Sequence, residues 1–286
     1  MEIFYEVLEE SIHDSVKLIP FLFIAYLLIE YIEHKHSEKM TRILSGGGKF
    51  GPISGAALGL IPQCGFSVMA ADLYASNVVT IGTLISVFIA TSDEAIPILS
   101  ANPDVRSIIV PLLGFKFVLA FVLGFFVDRI LVNILPTISR GYTGHDTHID
   151  CHDHNEKSNI LKATLAHTIK VFLFILVINI IFASIIEYLG HDILGFLSSL
   201  PEFPKVLVTS LFGLIPNCAA SVILTEMYVA NTIGFPSLLS GLCVGAGLGP
   251  MILLRNMPKK KEAIKIIVLL YVLGIICGGT AMICGM

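Results

Sequence analysis

Long apolar stretches alternate with short polar ones along the whole chain. Stretches of about 20 residues or more, enough for a helix to cross a bilayer core, cover 15–33, 78–100, 107–135, 165–187, 232–254 and 266–285. Two more, 50–75 and 205–230, carry Pro62 and Pro216 near their centres. The hydrocarbon offers no water to unpaired peptide groups, so the six stretches predict α-helices. The other two predict broken helices, because proline has no N–H and displaces the carbonyl four residues back.

The breaks are copies of one another. Gly59-Leu60-Ile61-Pro62-Gln63-Cys64 recurs 154 residues later as Gly213-Leu214-Ile215-Pro216-Asn217-Cys218. At the same offset Ser67 matches Ser221, Asp72 matches Glu226, Tyr74 matches Tyr228, Asn77 matches Asn231, Ser86 matches Ser240 and His13 matches His167. With a three-residue slip, Glu30-Tyr31 and His34 match Glu187-Tyr188 and His191. The chain therefore reads as a duplication: a first transmembrane repeat at 1–140, a linker at 141–162 and a second repeat at 163–286.

Composition confirms the class. Hydrophobic residues make up 55% of the 286, charged residues 14%, and mean hydropathy is +0.85, which excludes a soluble globular domain. The acidic start, Met1-Glu2-Ile3-Phe4-Tyr5-Glu6, lacks a basic leader, so the first span is expected to be retained. Five of six cysteines lie in apolar runs and Cys151 in a loop, unlike a secreted disulfide framework. A net charge of −4 gives no ground for a nucleic-acid partner.

Loop charge sets the expected orientation, because Lys and Arg accumulate on the cytoplasmic side. If each proline-broken stretch is re-entrant, each repeat crosses three times and the second is inverted relative to the first. Lys35, Lys39, Arg42, Lys49, Arg129, Arg140, Lys157, Lys162, Lys170, Arg255, Lys259, Lys260, Lys261 and Lys265 then face inward, leaving Lys17, Arg106 and Lys205 outside. Full crossing by the broken stretches would instead put the basic linker outside. The expectation is thus an all-α polytopic protein of the plasma membrane, with inverted repeats, an external N-terminus and a cytoplasmic linker.

Inverted repeats with interrupted helices are a transporter arrangement, with the site at the breaks near the midplane. Pro62 and Pro216 strand carbonyls there; Gln63, Asn217, Cys64 and Cys218 add amide and thiol donors, and Ser67 and Ser221 add hydroxyls. A plain helix kink is the alternative. Negative charge is scarcer: Asp93-Glu94 is the outstanding acidic pair within an apolar run, and Pro97 frees the carbonyl of Asp93. These acids either bind a cation or snorkel to the interface beside Arg106. The second repeat has Gly245-Ala246-Gly247-Leu248-Gly249-Pro250 at the matching place and no acid, so the site is expected to be asymmetric.

Asp72 and Glu226 lie eight residues past each motif cysteine, nearer an interface, and read either as vestibule ligands and gates or as helix-end charges. Asn77 and Asn231 join them as secondary candidates. Lys116, ten residues into its stretch, pairs with Asp93 or Glu94 on this reading, as a fixed salt bridge or as a switch competing with substrate. In the linker, His145, His148, Cys151, His152 and His154 are interleaved with aspartates, which suits a weak collector of divalent metal or a merely solvated loop.

The doubled Leu-Ile-Pro-x-Cys, Asp93-Glu94 and the His-rich loop resemble a family of heavy-metal exporters with ten membrane helices, labelled arsenic efflux proteins or manganese transporters. The resemblance implies five helical segments per repeat, half-helices counted, and efflux of a metal or metalloid. Oxygen donors at Asp93, Glu94, Gln63 and Asn217 favour Mn²⁺ or a similar divalent ion as transported substrate; trivalent arsenic or an organoarsenical would use Cys64 and Cys218. No nucleotide-binding Gly-x-x-x-x-Gly-Lys loop is present, so an ion or proton gradient is the expected drive, with a channel as the alternative. No His-Glu-x-x-His occurs, which argues against an intramembrane metalloprotease and for a non-enzyme. No resident cofactor is expected; the expected partners are the lipid bilayer, the metal and a second copy in a homodimer.

Overall fold

A computed structural model describes residues 51–131 except 62–64, 77, 93 and 94, residues 200–285, and isolated helical positions at 23 and between 165 and 180. Among the described residues there is no strand. The first repeat contains α1 (Gly51–Gly59), α2 (Gly65–Ala75), α3 (Ile81–Ala90), α4 (Ala95–Ala101) and, after a 3₁₀ turn, α5 (Ile109–Phe126), which ends in a π turn. The second contains α6 (Glu202–Gly213), α7 (Cys218–Val229), α8 (Phe235–Val244), α9 (Gly249–Asn256) and α10 (Lys260–Ile283).

Element boundaries repeat as the residues do. α3 and α8 start and end 154 residues apart, and α4 and α9 start 154 apart. Side-chain bonds follow the same rule: Ser86 Oγ donates to the Ala120 carbonyl at 2.8 Å and Ser240 Oγ to the Gly274 carbonyl at 2.9 Å. Each fixes the inner helix of its half to the long span that follows, where no water competes for the bond.

The spans fall into two layers. Ile81–Ala101 and Phe235–Asn256 are 69% and 89% buried, against 28% and 39% for Arg106–Ile130 and Lys260–Ile283, whose outward faces carry Val110, Val118, Val122, Val268, Val272 and Ile276. All four are long and apolar enough to cross a membrane. The apolar runs 78–100 and 232–254, expected as continuous helices, are interrupted in the structure between Ala90 and Ala95 and between Val244 and Gly249. Thr91 ends α3: its backbone N–H and its Oγ1 both donate to the Val87 carbonyl, at 3.0 and 2.7 Å. Gly245 ends α8, and Gly247 takes φ 53°, a conformation glycine adopts without steric cost.

Small residues set how the half-helices lie. A Cβ on Gly59 would stand 2.6 Å from the Val87 carbonyl and 2.7 Å from Ala90 Cβ, and one on Gly55 2.8 Å from the Thr83 carbonyl. Gly51 meets Thr83 as well, so α1 and α3 run side by side in the same direction. α6 and α8 do likewise, with Glu202 near Gly234 and Ser237, and Gly213 against the Gly241 carbonyl. Because α3 begins beside the start of α1, the intervening α2 carries the chain back to the side from which α1 set out; α7 does the same between α6 and α8.

A turn at the end of the second of these return helices accounts for Asn231. Asn231 is exposed at φ 54°, in a turn closed by Thr232 N donating to the Met227 carbonyl at 2.9 Å. The corresponding bond, Val78 N to the Leu73 carbonyl at 2.8 Å, flanks position 77. Asparagine tolerates the left-handed conformation that ends a helix this way.

Candidate functional site: a buried lysine between two helix breaks

The two interrupted helices meet at the centre of the molecule. A Cβ on Gly249, at the start of α9, would lie 2.6 Å from the Phe88 ring and 3.0 Å from the Ser67 carbonyl, so the second half's break rests on α2 and α3 of the first. Ser67 is fully buried; Ser221 is 8% exposed, with its hydroxyl placed 3.3 Å from a Cβ on Gly245. Asn217 is also buried, in the bend joining α6 to α7, where its backbone N–H donates to the Ile215 carbonyl at 2.8 Å. Thus Ser67, Ser221 and Asn217, three candidates from the sequence, lie in the protein interior near the breaks.

Among the described residues, Lys116 brings a charged side chain to this junction. It sits on α5 with no solvent exposure and donates through Nζ to the Thr91 carbonyl and, at 2.8 Å, to the Leu242 carbonyl. Both acceptors are stranded by the breaks. Thr91 stands past the end of α3 with ψ 129°, while Ala246, four residues beyond Leu242, gives its N–H to the Val244 carbonyl instead. A buried ammonium costs several kcal/mol unless it is paired and hydrogen-bonded. Here it satisfies carbonyls from both halves at once, each of which would otherwise be a costly orphan. The residue matching Lys116 in the second half is Leu270, fully buried and apolar, so this cation belongs to one repeat alone.

Other candidates sit away from this junction. Asp72, near the end of α2, accepts from Asn256 Nδ2 at 2.6 Å, joining the far ends of α2 and α9 across the halves. Glu226 is exposed on α7. The same-sequence symmetry is therefore not carried into their contacts: Asn102, the counterpart of Asn256, donates to the Ile98 carbonyl of its own helix at 2.9 Å. Gln63, Cys64, Asn77, Asp93, Glu94 and the linker residues His145, His148, Cys151, His152 and His154 lie outside the described residues, and Cys218 is described for its backbone only.

Two features were not singled out from the sequence. Asp128, on the π turn after α5, accepts from Thr80 Oγ1 and from Gly82 N, each at 2.7 Å, and so closes the N-terminus of α3. Cys243 on α8 and Cys277 on α10 are buried free thiols on two helices that pack together. Their separation of 34 residues carries no recognisable spacing; only the packing of α8 on α10 joins them. Among the described residues, no three His, Cys, Asp or Glu side chains converge to hold a metal ion.

An all-helical chain with several spans and helix breaks at its centre is a multi-pass membrane protein. The chain belongs to the family described as "Putative, 10TM heavy-metal exporter", whose model matches residues 3–203, more than half its length. That match takes in α1 to α5 and ends at the first turn of α6. No curated protein and no solved structure matches the chain.

Proposed function

We propose that this heavy-metal exporter carries a divalent transition-metal cation, Mn²⁺ foremost, out across the plasma membrane along the seam between its halves, driven by a proton or other ion gradient. The observation that carries this reading is the Lys116 ammonium fixed between stranded carbonyls of both helix breaks. A centre that holds a cation on backbone oxygens, with the Thr91 carbonyl two and three residues from Asp93 and Glu94 along the chain, has the donor chemistry of a hard divalent ion. Asp93 and Glu94 supply the charge; Gln63, Asn217, Ser67 and Ser221 supply neutral oxygens; Lys116 and the metal compete for the negative field of the acids.

The membrane arrangement follows the same reading. α1–α2 and α6–α7 enter and leave from one side each, α3–α4 and α8–α9 are broken spans, and α5 and α10 are full spans. With one further span ahead of each set, every half crosses three times and the halves are inverted. The parallel placement of α1 beside α3, and of α6 beside α8, supports this, as does the inward bias of lysine and arginine. Export assayed in cells is the test: Asp93→Asn and Glu94→Gln should each raise Mn²⁺ accumulation to that of cells lacking the protein. Wild-type accumulation in both variants would remove the carboxylates from the path. Loss on Cys64→Ser with Cys218→Ser instead would favour efflux of trivalent arsenic or organoarsenicals.

A further inference from the structure

The halves differ at three pairs of like residues, and in the same sense each time. Tyr74 and Ile252 are buried where their matches Tyr228 and Ile98 are half-buried, and Asp72 is half-buried where its match Glu226 is exposed. α2 packs against α9, and α7 against α4, so these residues mark two contacts between the halves that the 154-residue offset makes equivalent. Side-chain bonding divides the contacts in the same way. Asn256 Nδ2 donates across the first contact to Asp72 at 2.6 Å, whereas its match Asn102, at the second, donates to the Ile98 carbonyl of its own helix at 2.9 Å. An acid and an asparagine stand ready at both contacts, and the bond across the halves is made at one.

We propose that Asn102 and Glu226 are the second gate of the transport path, an outer latch that is open in this conformation and closes when the Asp72–Asn256 latch parts. This rests on the export reading with its inverted halves, and adds the residues that seal each end. In that arrangement the α2–α9 contact lies at the cytoplasmic end, near Lys259, Lys260 and Lys261 in sequence, and the α4–α7 contact at the outer end, near Arg106. Two halves built to one plan reach a second state by exchanging conformations, so that what holds at one end comes to hold at the other. The exchange moves Asn102 Nδ2 from the Ile98 carbonyl to the Glu226 carboxylate, while Asp72 and Asn256 separate. Glutamate, one methylene longer than aspartate, reaches across the more open contact. This conformation is closed to the cytoplasm and open toward the outside, the state from which an exporter releases its ion. A helix-end charge that merely meets water, the plain alternative for Glu226, has no influence on the cytoplasmic end.

The test changes the outer end and reads the cytoplasmic one. Full-length Ile252→Cys protein in everted vesicles, with no metal added, is treated with a membrane-impermeant maleimide, and the labelling rate at position 252 is read by peptide mapping. Adding Asp72→Ala should raise that rate, because the cytoplasmic latch is lost. Adding Glu226→Ala should lower it, because loss of the outer latch leaves the cytoplasmic one favoured. A rate unchanged or raised by Glu226→Ala would overturn the proposal. Bridging gives a second reading: with Asn102→Cys and Glu226→Cys joined by a bifunctional methanethiosulfonate, position 252 should label fast and regain its protection on reduction. Continued protection in the bridged chain would likewise overturn it. Neither reading uses transport, so the gates are judged apart from the Mn²⁺ assay, whose failure would remove the cargo and not the latches.

Discussion

Lys116 Nζ donates to the Leu242 carbonyl at 2.8 Å, tying a span of the first half to the broken helix of the second. The same ammonium binds the Thr91 carbonyl, so one side chain closes both breaks. Replacing Lys116 with Met keeps the length of the side chain and removes the charge and both donors. Two buried carbonyls are then orphaned, at about 1–3 kcal/mol each. Lys116→Met should lower the thermal midpoint of the detergent-solubilised protein and abolish the metal-export phenotype in the same expression host. A midpoint equal to wild type would mean that the two bonds add nothing.

The Asp72–Asn256 bond links the halves at a second place, 2.6 Å long and charge-assisted. Either Asp72→Ala or Asn256→Ala should cost about 1.5–3 kcal/mol, and the two should be non-additive. Unfolding of both single variants and the double variant measures the coupling; zero coupling would contradict the contact. Asn102→Ala, which removes only a bond within its own helix, should cost less.

Glycines divide into two classes that a helix propensity alone would not separate. Gly59 and Gly213 lie against backbone of the neighbouring helix, while nothing stands within 4 Å of a Cβ on Gly114 or Gly279. Gly59→Ala and Gly213→Ala should destabilise by roughly 1–3 kcal/mol, the range for overpacking a tight contact. Gly114→Ala and Gly279→Ala should be neutral or stabilising by up to about 1 kcal/mol, since alanine is the better helix former. Melting of the four variants side by side decides it.

Orientation is open to chemical labelling. In the inverted arrangement Cys151 of the linker faces the cytoplasm and Cys284, past the end of α10, faces outside. A membrane-impermeant maleimide should therefore label Cys284 in intact cells and Cys151 only in everted vesicles. Labelling of both from the same side would contradict the inversion.

Much of this architecture was legible in the residues. Four of the apolar runs of bilayer length, 78–100, 107–135, 232–254 and 266–285, located spans of the structure, and Leu-Ile-Pro at 60–62 and 214–216 located the ends of α1 and α6. The second pair of breaks was only half legible. Pro97 and Gly249-Pro250 marked irregular backbone, yet the helices stop earlier, at Thr91 and Gly245. There a threonine hydroxyl and a glycine satisfy or release the last carbonyls. Spacing could not foretell that Lys116 would find carbonyls of both halves, because its partners lie 25 and 126 residues away. Nor could it join Cys243 to Cys277. Asn231, a secondary candidate from its repetition, stands in a helix-ending turn at φ 54°, while its match Asn77 lies outside the described residues.

The central claim is that the charge for the transported ion comes from one repeat, at Asp93 and Glu94, across from a break that has none. Metal-resolved uptake into everted vesicles under an imposed proton gradient tests it most directly. Wild-type vesicles should take up Mn²⁺ in preference to Mg²⁺ and Ca²⁺; Asp93→Asn and Glu94→Gln should each cut the rate by at least about tenfold, equivalent to about 1.4 kcal/mol, while Cys64→Ser with Cys218→Ser keeps most of it. Undiminished Mn²⁺ uptake in both carboxylate variants, or no Mn²⁺ uptake by the wild type, would contradict the account.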